Sequence, residues 1–357
     1  METSIMFGLM FAVLNAAFQA VMVKFDQIMM GNCYEDRPKI AWLVSTIAGT
    51  ILGVVTMLGV SVWYWFQTGD IITAGDILNQ WNDGVWMVVV GILTTIVMGC
   101  YFHLFKKSEA GEAPDVTTIS MWLASTPIWV TAATCLIVTF DLGFGPLAGL
   151  EIGDVSPFFF LAIMLTTFFI IRFDAEGKRV PLTLSRGALV AVMVISIAIY
   201  IIIASSVVYG RELAELLALQ PYYWAGFATS IVIFFSKTVR REWAEFKLNK
   251  FHQYKKVIVL AEVFGAGVYI FEMYALWQLS GVLVNLINSG HVIIVFLLGF
   301  VLTYIGNWMI RREKPFTWGT VVLDGETLVS EPATKIQWLL FGAVVAAMGT
   351  AILIAGQ

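Results

Sequence analysis

Ten apolar segments separated by polar stretches dominate the chain. Most of them match the length of about 20 residues that a helix needs to cross the hydrocarbon core of a bilayer. Their approximate limits are Ile5–Val23, Ile40–Phe66, Gly84–Phe105, Val116–Phe140, Pro157–Ile171, Gly187–Tyr209, Tyr222–Val239, Val257–Leu279, Val282–Ile310 and Gln337–Ala355. Because backbone polar groups in lipid must be paired within their own segment, an open-ended spanning element has to be a helix. The pattern therefore predicts an all-α polytopic membrane protein with ten transmembrane helices.

The polar gaps between these segments alternate in charge. Of the 21 Lys and Arg residues, 20 lie in the odd-numbered gaps, and the even-numbered gaps hold only Arg211. Since Lys and Arg near transmembrane ends are retained on the cytoplasmic side, the odd gaps are expected to be cytoplasmic. The alternation predicts an integral protein of the plasma (inner) membrane with both termini outside.

Composition supports the same class. Hydrophobic residues make up 59% of the chain and charged residues 13%, whereas about a quarter of a typical soluble domain is charged. The net charge is −4 and the bases are confined to one side, which argues against nucleic acid as a partner. The three Cys residues show neither CxxC nor His spacing, so the sequence predicts no disulfide framework, no metal site and no cofactor.

The polar stretch Arg172–Arg186 divides the ten segments into five and five. Five crossings are an odd number, so the second group enters the membrane from the opposite side. This is the arrangement of the inverted-topology repeats of many secondary transporters. The predicted domains are a first five-helix repeat at 1–173, a cytoplasmic connector at 174–186 and a second five-helix repeat at 187–357.

One cytoplasmic connection has the pattern of a surface helix. Residues 237–256 interleave basic residues with Trp243, Phe246, Phe251 and Tyr254 at roughly helical spacing. This spacing predicts a helix that lies in the membrane interface near anionic headgroups. A helical extension of the seventh segment into water is the alternative.

A small cytoplasmic β-hairpin is predicted near 320–330, in the ninth gap. Asp324-Gly325 is a typical two-residue hairpin turn, and Thr320–Leu323 and Thr327–Ser330 flank it as short strands. The hairpin would belong to the second repeat and is expected to be structural.

Two residues that loosen helices occupy corresponding places in the two halves. Pro127 follows Ser125 and Thr126 in the fourth segment, and Gly290 lies between Ser289 and His291 in the ninth. Paired interruptions of this kind point to a binding site near the bilayer midplane. Pro and Gly are also frequent in membrane helices without any such role, which is the alternative.

Several stretches resemble a known family of carriers. They are Tyr101-Phe-His-Leu-Phe-Lys-Lys-Ser-Glu-Ala, Leu123-Ala-Ser-Thr-Pro127, Gly187-Ala-Leu-Val-Ala-Val-Met and Gly342-Ala-Val-Val-Ala-Ala-Met-Gly349. These passages are similar to the third-to-fourth, sixth and last helices of the EamA-like ten-helix transporters in the drug/metabolite transporter superfamily. The resemblance implies two inverted five-helix repeats and transport activity, but it carries over no site residues.

The chain departs from that family in two respects. The acidic residue that ends the fourth helix of each half is missing, with Asp141 only roughly placed in the first half and Asn307 near the position in the second. Such transporters also usually keep both termini inside, whereas the charge alternation places both outside. These departures put the direction of transport in question.

Two carboxyl groups lie within the eighth apolar segment. A charged side chain at the bilayer centre costs roughly 2.5–3.5 kcal/mol on insertion scales, so Glu262 and Glu272 need a reason to be there. Tyr269 is placed on the same helical face as Glu262. The functional hypothesis is a carboxylate that couples transport to protons or binds a cation. The alternatives are a neutral or hydrogen-bonded structural Glu and, for Glu262, a side chain that snorkels to the membrane interface.

Other polar and aromatic side chains within the segments are candidates for contact with a substrate. They are Asn285, Asn288 and His291 at successive i+3 steps, Asn15 and Gln19 one turn apart, and Trp122 and Trp129 away from the aromatic belts. The polar members have an alternative role, because such side chains often bond across helices instead, with modest energies around 0.6 kcal/mol.

The sequence contains no recognisable catalytic, metal or phosphate-binding motif, so no enzyme activity is expected. The leading hypothesis is a secondary transporter of a small polar or amphipathic metabolite that works by alternating access, with proton coupling through Glu272. The alternatives are a non-transporting subunit that anchors or scaffolds a larger membrane complex, and a lipid-linked sugar flippase. The expected partners are membrane lipids, a small-molecule substrate, and a homo-oligomer or larger complex.

Overall fold

The computed structural model describes most of the chain, namely residues 2–34, 37–105, 119, 123, 125–143, 145–149, 184–247, 252–312, 316–318 and 321–323. The α-helices in these ranges are α1 (Glu2–Asn32), α2 (Pro38–Thr68), α3 (Ala74–Asn79), α4 (Trp81–Phe105), α5 (Thr126–Thr139), α6 (Leu184–Val208), α7 (Leu213–Ala228), α8 (Lys237–Phe246), α9 (His252–Gln278), α10 (Gly281–Asn288) and α11 (His291–Arg312). Two short 3-10 helices add Gly145–Gly149 and Thr229–Phe235.

Within the described residues, seven helical segments are long and apolar enough to cross a membrane. They are Ile5–Asp26, Pro38–Thr68, Trp81–Phe105, Ser185–Val208, Leu213–Phe235, Tyr254–Gln278 and Gly281–Arg312. The apolar helix α5 accounts for part of the fourth predicted segment. The protein is therefore an all-α polytopic membrane protein, while the predicted fifth and tenth segments lie outside the described residues.

The seventh segment begins earlier than the predicted Tyr222. Helix α7 starts at Leu213 and carries Glu215 in its first turn, where a negative charge is favourable because the helix dipole is positive there. Pro221 lies inside the helix, and most of the turn before it is buried. The hydropathy pattern does not indicate this start, because two acidic residues near it are typical of a polar gap.

The connection that follows begins with a separate helix, α8, which covers only the first part of the predicted interfacial segment 237–256. Tyr254 belongs to α9, and Phe251 lies outside the described residues. The 3-10 helix ends at Phe235, and Ser236 takes an extended conformation (ψ 127°) before α8 begins. A straight extension of the seventh segment is therefore wrong. Val239 and Phe246 are buried on one side of α8, and its basic residues are exposed on the other.

A hairpin is present in the ninth gap, with different partners from those predicted. Strand β1 (Phe316–Trp318) pairs antiparallel with β2 (Val321–Leu323), and Trp318 lies opposite Val321. Strand β2 is part of the predicted first strand, but it pairs with the residues that precede it. The turn at Asp324-Gly325 and the strand after it lie outside the described residues and stay a prediction.

Helices from the two predicted halves pack closely against each other. Helix α1 packs on α9, α10 and α11; α4 packs on α6 and α7; α2 packs on α7 and α9; and α5 packs on α6 and α10. The tightest contact joins α4 to α7 through Gly91 and Gly226. A Cβ on Gly226 would lie 2.1 Å from the Val88 carbonyl oxygen, so the two backbones touch, as small residues allow at membrane helix interfaces.

The loops meet in space according to the charge alternation. At one end of the bundle Arg37, in the first gap, pairs with Glu245 of α8, in the seventh gap, at 3.4 Å. The ring of Tyr34 also packs on that of Phe246, with centroids 5.5 Å apart. Both of these gaps are rich in bases, so the contacts agree with their placement on one side of the membrane.

The opposite end joins gaps that are poor in bases. Arg211, in the sixth gap, forms an ion pair with Asp83 near the start of α4 and lies 3.8 Å from Glu215. The hydroxyl group of Tyr222 donates at 2.9 Å to the carbonyl oxygen of Ile77, which lies in α3 within the second gap. The arginine that broke the charge pattern is therefore held among carboxyl groups at this end.

Candidate functional site

A polar cavity lies in the middle of the bundle, where α1, α4, α5, α6, α9 and α10 meet. Its volume is about 50 Å³, enough for a few water molecules. We call it the central cavity. Its polar lining residues are Gln19, Tyr101, Thr126, Tyr200, Tyr269, Glu272, Asn285, Asn288, Ser289 and His291.

Glu272 supplies the carboxyl group of the central cavity. The side chain is 5% exposed, and it reaches the cavity from α9. The hydroxyl group of Tyr200, on α6, donates to its two carboxylate oxygens at 3.0 and 3.1 Å. A carboxyl group with one hydroxyl partner and a cavity beside it can hold a proton or bind a cation.

Amide side chains around the cavity keep unused hydrogen-bonding capacity. Among the described residues no partner is found for Gln19 Oε1, Asn285 Nδ2 or Asn288 Oδ1, all of which are buried. Both amide atoms of Asn15, one turn before Gln19, are likewise buried without a partner there. Leaving such an atom unpaired costs about 1–3 kcal/mol, so these side chains are suited to a polar ligand or to water.

One helix interruption and the start of another helix border the central cavity. Helix α10 ends at Asn288 and α11 begins at His291, with Ser289 and Gly290 between them. Helix α5 begins at Thr126 with Pro127 in its first turn. Thr126 and Ser289 both line the cavity, so the start of α5 and the break between α10 and α11 lie beside it, as expected where irregular backbone at membrane depth is tolerated.

His291 lines the central cavity and also contacts the backbone of α10. It is 1% exposed, and its Nδ1 lies 2.8 Å from the carbonyl oxygen of Asn288. Three residues from one sequence stretch, Asn285, Asn288 and His291, therefore line one cavity, as their i+3 spacing suggested.

A second, smaller cavity of about 20 Å³ contains two more carboxyl groups, Asp26 and Glu262. The hydroxyl group of Ser45 donates to Glu262 Oε1 at 2.6 Å, and that of Tyr101 donates to Asp26 Oδ2 at 3.0 Å. We call it the second cavity. Four side chains line both cavities, namely Met22, Met98, Tyr101 and Tyr269. The two cavities therefore form one polar tract interrupted by these side chains.

Sequence reasoning missed Asp26, because it placed the end of the first segment at Val23. Helix α1 continues well past that residue, and Asp26 is 5% exposed. A signal was present in the spacing: Asn15, Gln19, Met22 and Asp26 recur at steps of four, three and four residues, which is one helical face. The hydroxyl partners of the carboxyl groups gave no comparable signal.

The two predicted tryptophans do not join the site in the described structure. Trp129 is 38% exposed on the outside of α5, because that helix packs inward through Val130, Thr131 and Thr134. It lines neither of the two cavities. Trp122 lies outside the described residues.

The described residues contain no group of three or more His, Cys, Asp or Glu side chains arranged to hold a metal ion. The polar side chains that line the tract carry carboxyl, hydroxyl, amide and imidazole groups. No model of a known protein family matches the chain, and no curated protein shows significant similarity to it.

Proposed function

We propose that the protein is a secondary transporter that moves a small polar or amphipathic metabolite by alternating access. The observation that carries the proposal is the central cavity, where a carboxyl group and buried amides without partners in the described structure lie beside the interruption between α10 and α11. Interrupted helices around a site in the bundle core are the arrangement through which many carriers bind substrate. The resemblance to EamA-like transporters points to the same activity.

The pattern of helix contacts supports an inverted repeat. Let α1, α2, α4 and α5 be the first four helices of one half, and α6, α7, α9 and the interrupted α10–α11 those of the other. The contact α1–α9 then corresponds to α6–α4, the contact α2–α9 to α7–α4, and the contact α1–α10 to α6–α5. The contacts α2–α7 and α5–α10 correspond to themselves. A two-fold axis that exchanges the halves would produce these correspondences, although the contact between α2 and α4 has no counterpart of similar extent between α7 and α9 in the described structure.

The polar tract supports proton coupling. Glu272 in the central cavity and the Asp26 and Glu262 pair in the second cavity are buried carboxyl groups, each held by one hydroxyl. Carboxyl chains of this kind mark proton relays in transporters. We assign the coupling role to Glu272, because it is the carboxyl group that borders the cavity with the unpaired amides.

Transport can be tested before the substrate is known. The protein would be reconstituted in proteoliposomes with an imposed pH gradient, and uptake from a mixture of polar metabolites would be followed by mass spectrometry. The wild type is expected to accumulate at least one compound in a gradient-dependent manner. Glu272→Gln is expected to lose this accumulation, while the exposed Glu212→Gln retains it.

Two results would count against the proposal. Flux that is insensitive both to the pH gradient and to Glu272→Gln would remove the coupling role. A purified protein that moves no compound and is isolated in a stoichiometric complex would favour the alternative of a membrane-embedded subunit. One observation favours that alternative, since Ile71, Leu78 and Trp81 are 65%, 66% and 59% exposed around α3, where a partner could cover them.

A further inference from the structure

We infer that the central cavity binds a small organic primary ammonium ion that also carries an oxygen acceptor, such as an amino alcohol. This inference rests on the proposed transport function and names the chemical class of its substrate.

The charge of the polar tract favours a cation. Glu272 lines the central cavity, Asp26 and Glu262 line the second, and the residues found to line the two cavities include no Lys or Arg. Opposite charges interact strongly in a site of low dielectric constant, and a buried charge needs a partner. His291 also lines the central cavity, with Nδ1 beside the Asn288 carbonyl oxygen.

The acceptors match the donors of a primary ammonium group. Gln19 Oε1 and Asn288 Oδ1 line the central cavity and have no partner among the described residues, and both side chains are 9% exposed. With the carboxylate of Glu272 they make three acceptors. An –NH₃⁺ group offers three N–H donors on a compact cation, whereas a quaternary ammonium offers none.

One donor in the same cavity calls for an oxygen on the ligand. Asn285 Nδ2 is buried without a partner in the described structure, and its side chain is 4% exposed. Because buried polar groups are almost always hydrogen-bonded, a hydroxyl or carbonyl oxygen of the ligand would satisfy it. The rings of Tyr101 and Tyr269 form part of the wall, and aromatic faces attract cations.

Binding would exchange the ammonium for a proton. A protonated Glu272 releases its proton when the ammonium ion arrives, and the carboxylate then pairs with the cation. On release of the ammonium, the carboxyl group takes up one proton again. One positive charge enters the site as one leaves it, so the buried carboxyl group is never left uncompensated.

A series of four compounds with one hydroxyethyl skeleton tests the class. Ethanolamine, choline, ethylene glycol and 3-hydroxypropionate would be titrated calorimetrically into purified protein in nanodiscs of phosphatidylcholine and phosphatidylglycerol, which contain no primary amine. Ethanolamine is expected to bind more than tenfold tighter than choline, since each hydrogen bond to a charged group contributes about a factor of ten, and the other two compounds are expected not to bind. Equal binding of ethylene glycol or 3-hydroxypropionate, or no binding of ethanolamine, would overturn the inference.

Variants connect the binding to the named side chains. Glu272→Gln is expected to abolish ethanolamine binding, and Glu212→Gln, an exposed control, to leave it unchanged. Asn288→Leu is expected to reduce the preference for ethanolamine over choline by about tenfold. Because this preference is a ratio within one preparation, it remains informative even if Glu272→Gln fails to fold. A preference unchanged in Asn288→Leu would contradict the assigned acceptor.

Failure of the inference can be told apart from failure of the proposed function. Gradient-driven uptake of other compounds without ethanolamine binding would overturn the ammonium class and leave transport in place. Ethanolamine binding without any flux would do the reverse. Repeating the titration in nanodiscs with phosphatidylethanolamine assigns the source, since a lipid headgroup that reaches the site would weaken binding of free ethanolamine, whereas a site for soluble amines would be unaffected.

Discussion

Each of the three carboxyl groups in the polar tract is held by one hydroxyl group from a different helix. Tyr200 bonds Glu272, Ser45 bonds Glu262, and Tyr101 bonds Asp26. A carboxylate can accept several hydrogen bonds, so a single hydroxyl fixes the position of each group and leaves acceptor capacity open. An Arg or Lys partner would instead have neutralised the charge permanently. A carboxyl group held by one hydroxyl is therefore suited to exchange a bound proton for another partner.

A carboxyl group outside the membrane gives a pH-dependent prediction. Asp76 accepts from the backbone N–H of Thr73 at 2.8 Å and from its hydroxyl at 2.7 Å, forming a capping box at the start of α3. These hydrogen bonds lower the pKa of Asp76. Because the folded pKa is depressed, the stabilisation is present above the unfolded value of about 3.9 and is lost as pH falls through the folded value.

The Thr73 amide reports this loss. Its hydrogen-exchange protection, corrected for the intrinsic effect of pH, is expected to be high at neutral pH and to fall in acid. In Asp76→Asn the protection is expected to vary little with pH, because an amide does not titrate in this range. Equal acid sensitivity in both proteins would show that another titratable group controls the stability of the start of α3.

The residues of the polar tract differ in how readily they can be predicted from the sequence. Glu262 and Glu272 could be predicted as candidates, because a charge inside an apolar run is costly and therefore conspicuous. Tyr200 and Ser45 could not, because hydroxyl side chains are unremarkable in membrane helices and their partners lie far along the chain. Asp26 was hidden by the neighbouring Lys24, which made the end of α1 look like a polar loop.

At the scale of elements, the contact between α4 and α7 depends on two glycines. A Cβ on Gly91 would lie 2.3 Å from the Tyr223 carbonyl oxygen, and one on Gly226 would lie 2.1 Å from that of Val88. Both obstacles are backbone atoms, which cannot rotate away as a side chain can. Any larger residue must therefore push the two helices apart.

Gly226→Ala is expected to lower the melting temperature measured by tryptophan fluorescence in detergent. Overpacking of this kind costs about 1–3 kcal/mol or more. Gly59→Ala is the matched control, because no described atom outside its own stretch of α2 lies within 4 Å of a Cβ at that position, and Ala favours a helix over Gly. A melting temperature that falls equally in both variants would contradict the packing argument.

The elements were predictable to the extent that hydropathy determines them. The centres of the spanning helices follow from long apolar runs, whereas their ends depend on caps and packing. Leu213 begins α7 within an acidic stretch, and Ser236 separates α8 from the span before it. Neither boundary has a hydropathy signal. The helix-loosening residues Pro127 and Gly290 were visible in the sequence, but the cavity between them depends on packing from distant helices.

At the scale of the whole molecule, the charge alternation predicts the orientation in the membrane. The ion pair of Arg37 with Glu245 and that of Arg211 with Asp83 lie at opposite ends of the bundle. Contacts between loops thus respect the division into basic and acidic gaps. The retention of Lys and Arg on the cytoplasmic side then predicts that the end with Arg37 faces the cytoplasm.

Thiol labelling tests the orientation. The native cysteines Cys33, Cys100 and Cys135 would be replaced, and Asp76→Cys and Arg240→Cys would each be introduced into that background. A membrane-impermeant maleimide is expected to label position 76 in intact cells and position 240 only after permeabilisation. The opposite labelling would reverse the topology and place both termini in the cytoplasm.

In the described structure, four residues lie between the central cavity and the second cavity. Met22, Met98, Tyr101 and Tyr269 border both cavities, and methionine is unbranched and adaptable. Rotamer changes are faster than movements of whole helices, so in the proposed transport cycle a gap in this wall would open and close faster than the helices move. A carrier with such an internal wall cannot use it as the barrier against leakage. In the proposed transporter, the slow permeability barriers would then lie at the two ends of the bundle, where the loops and their ion pairs meet.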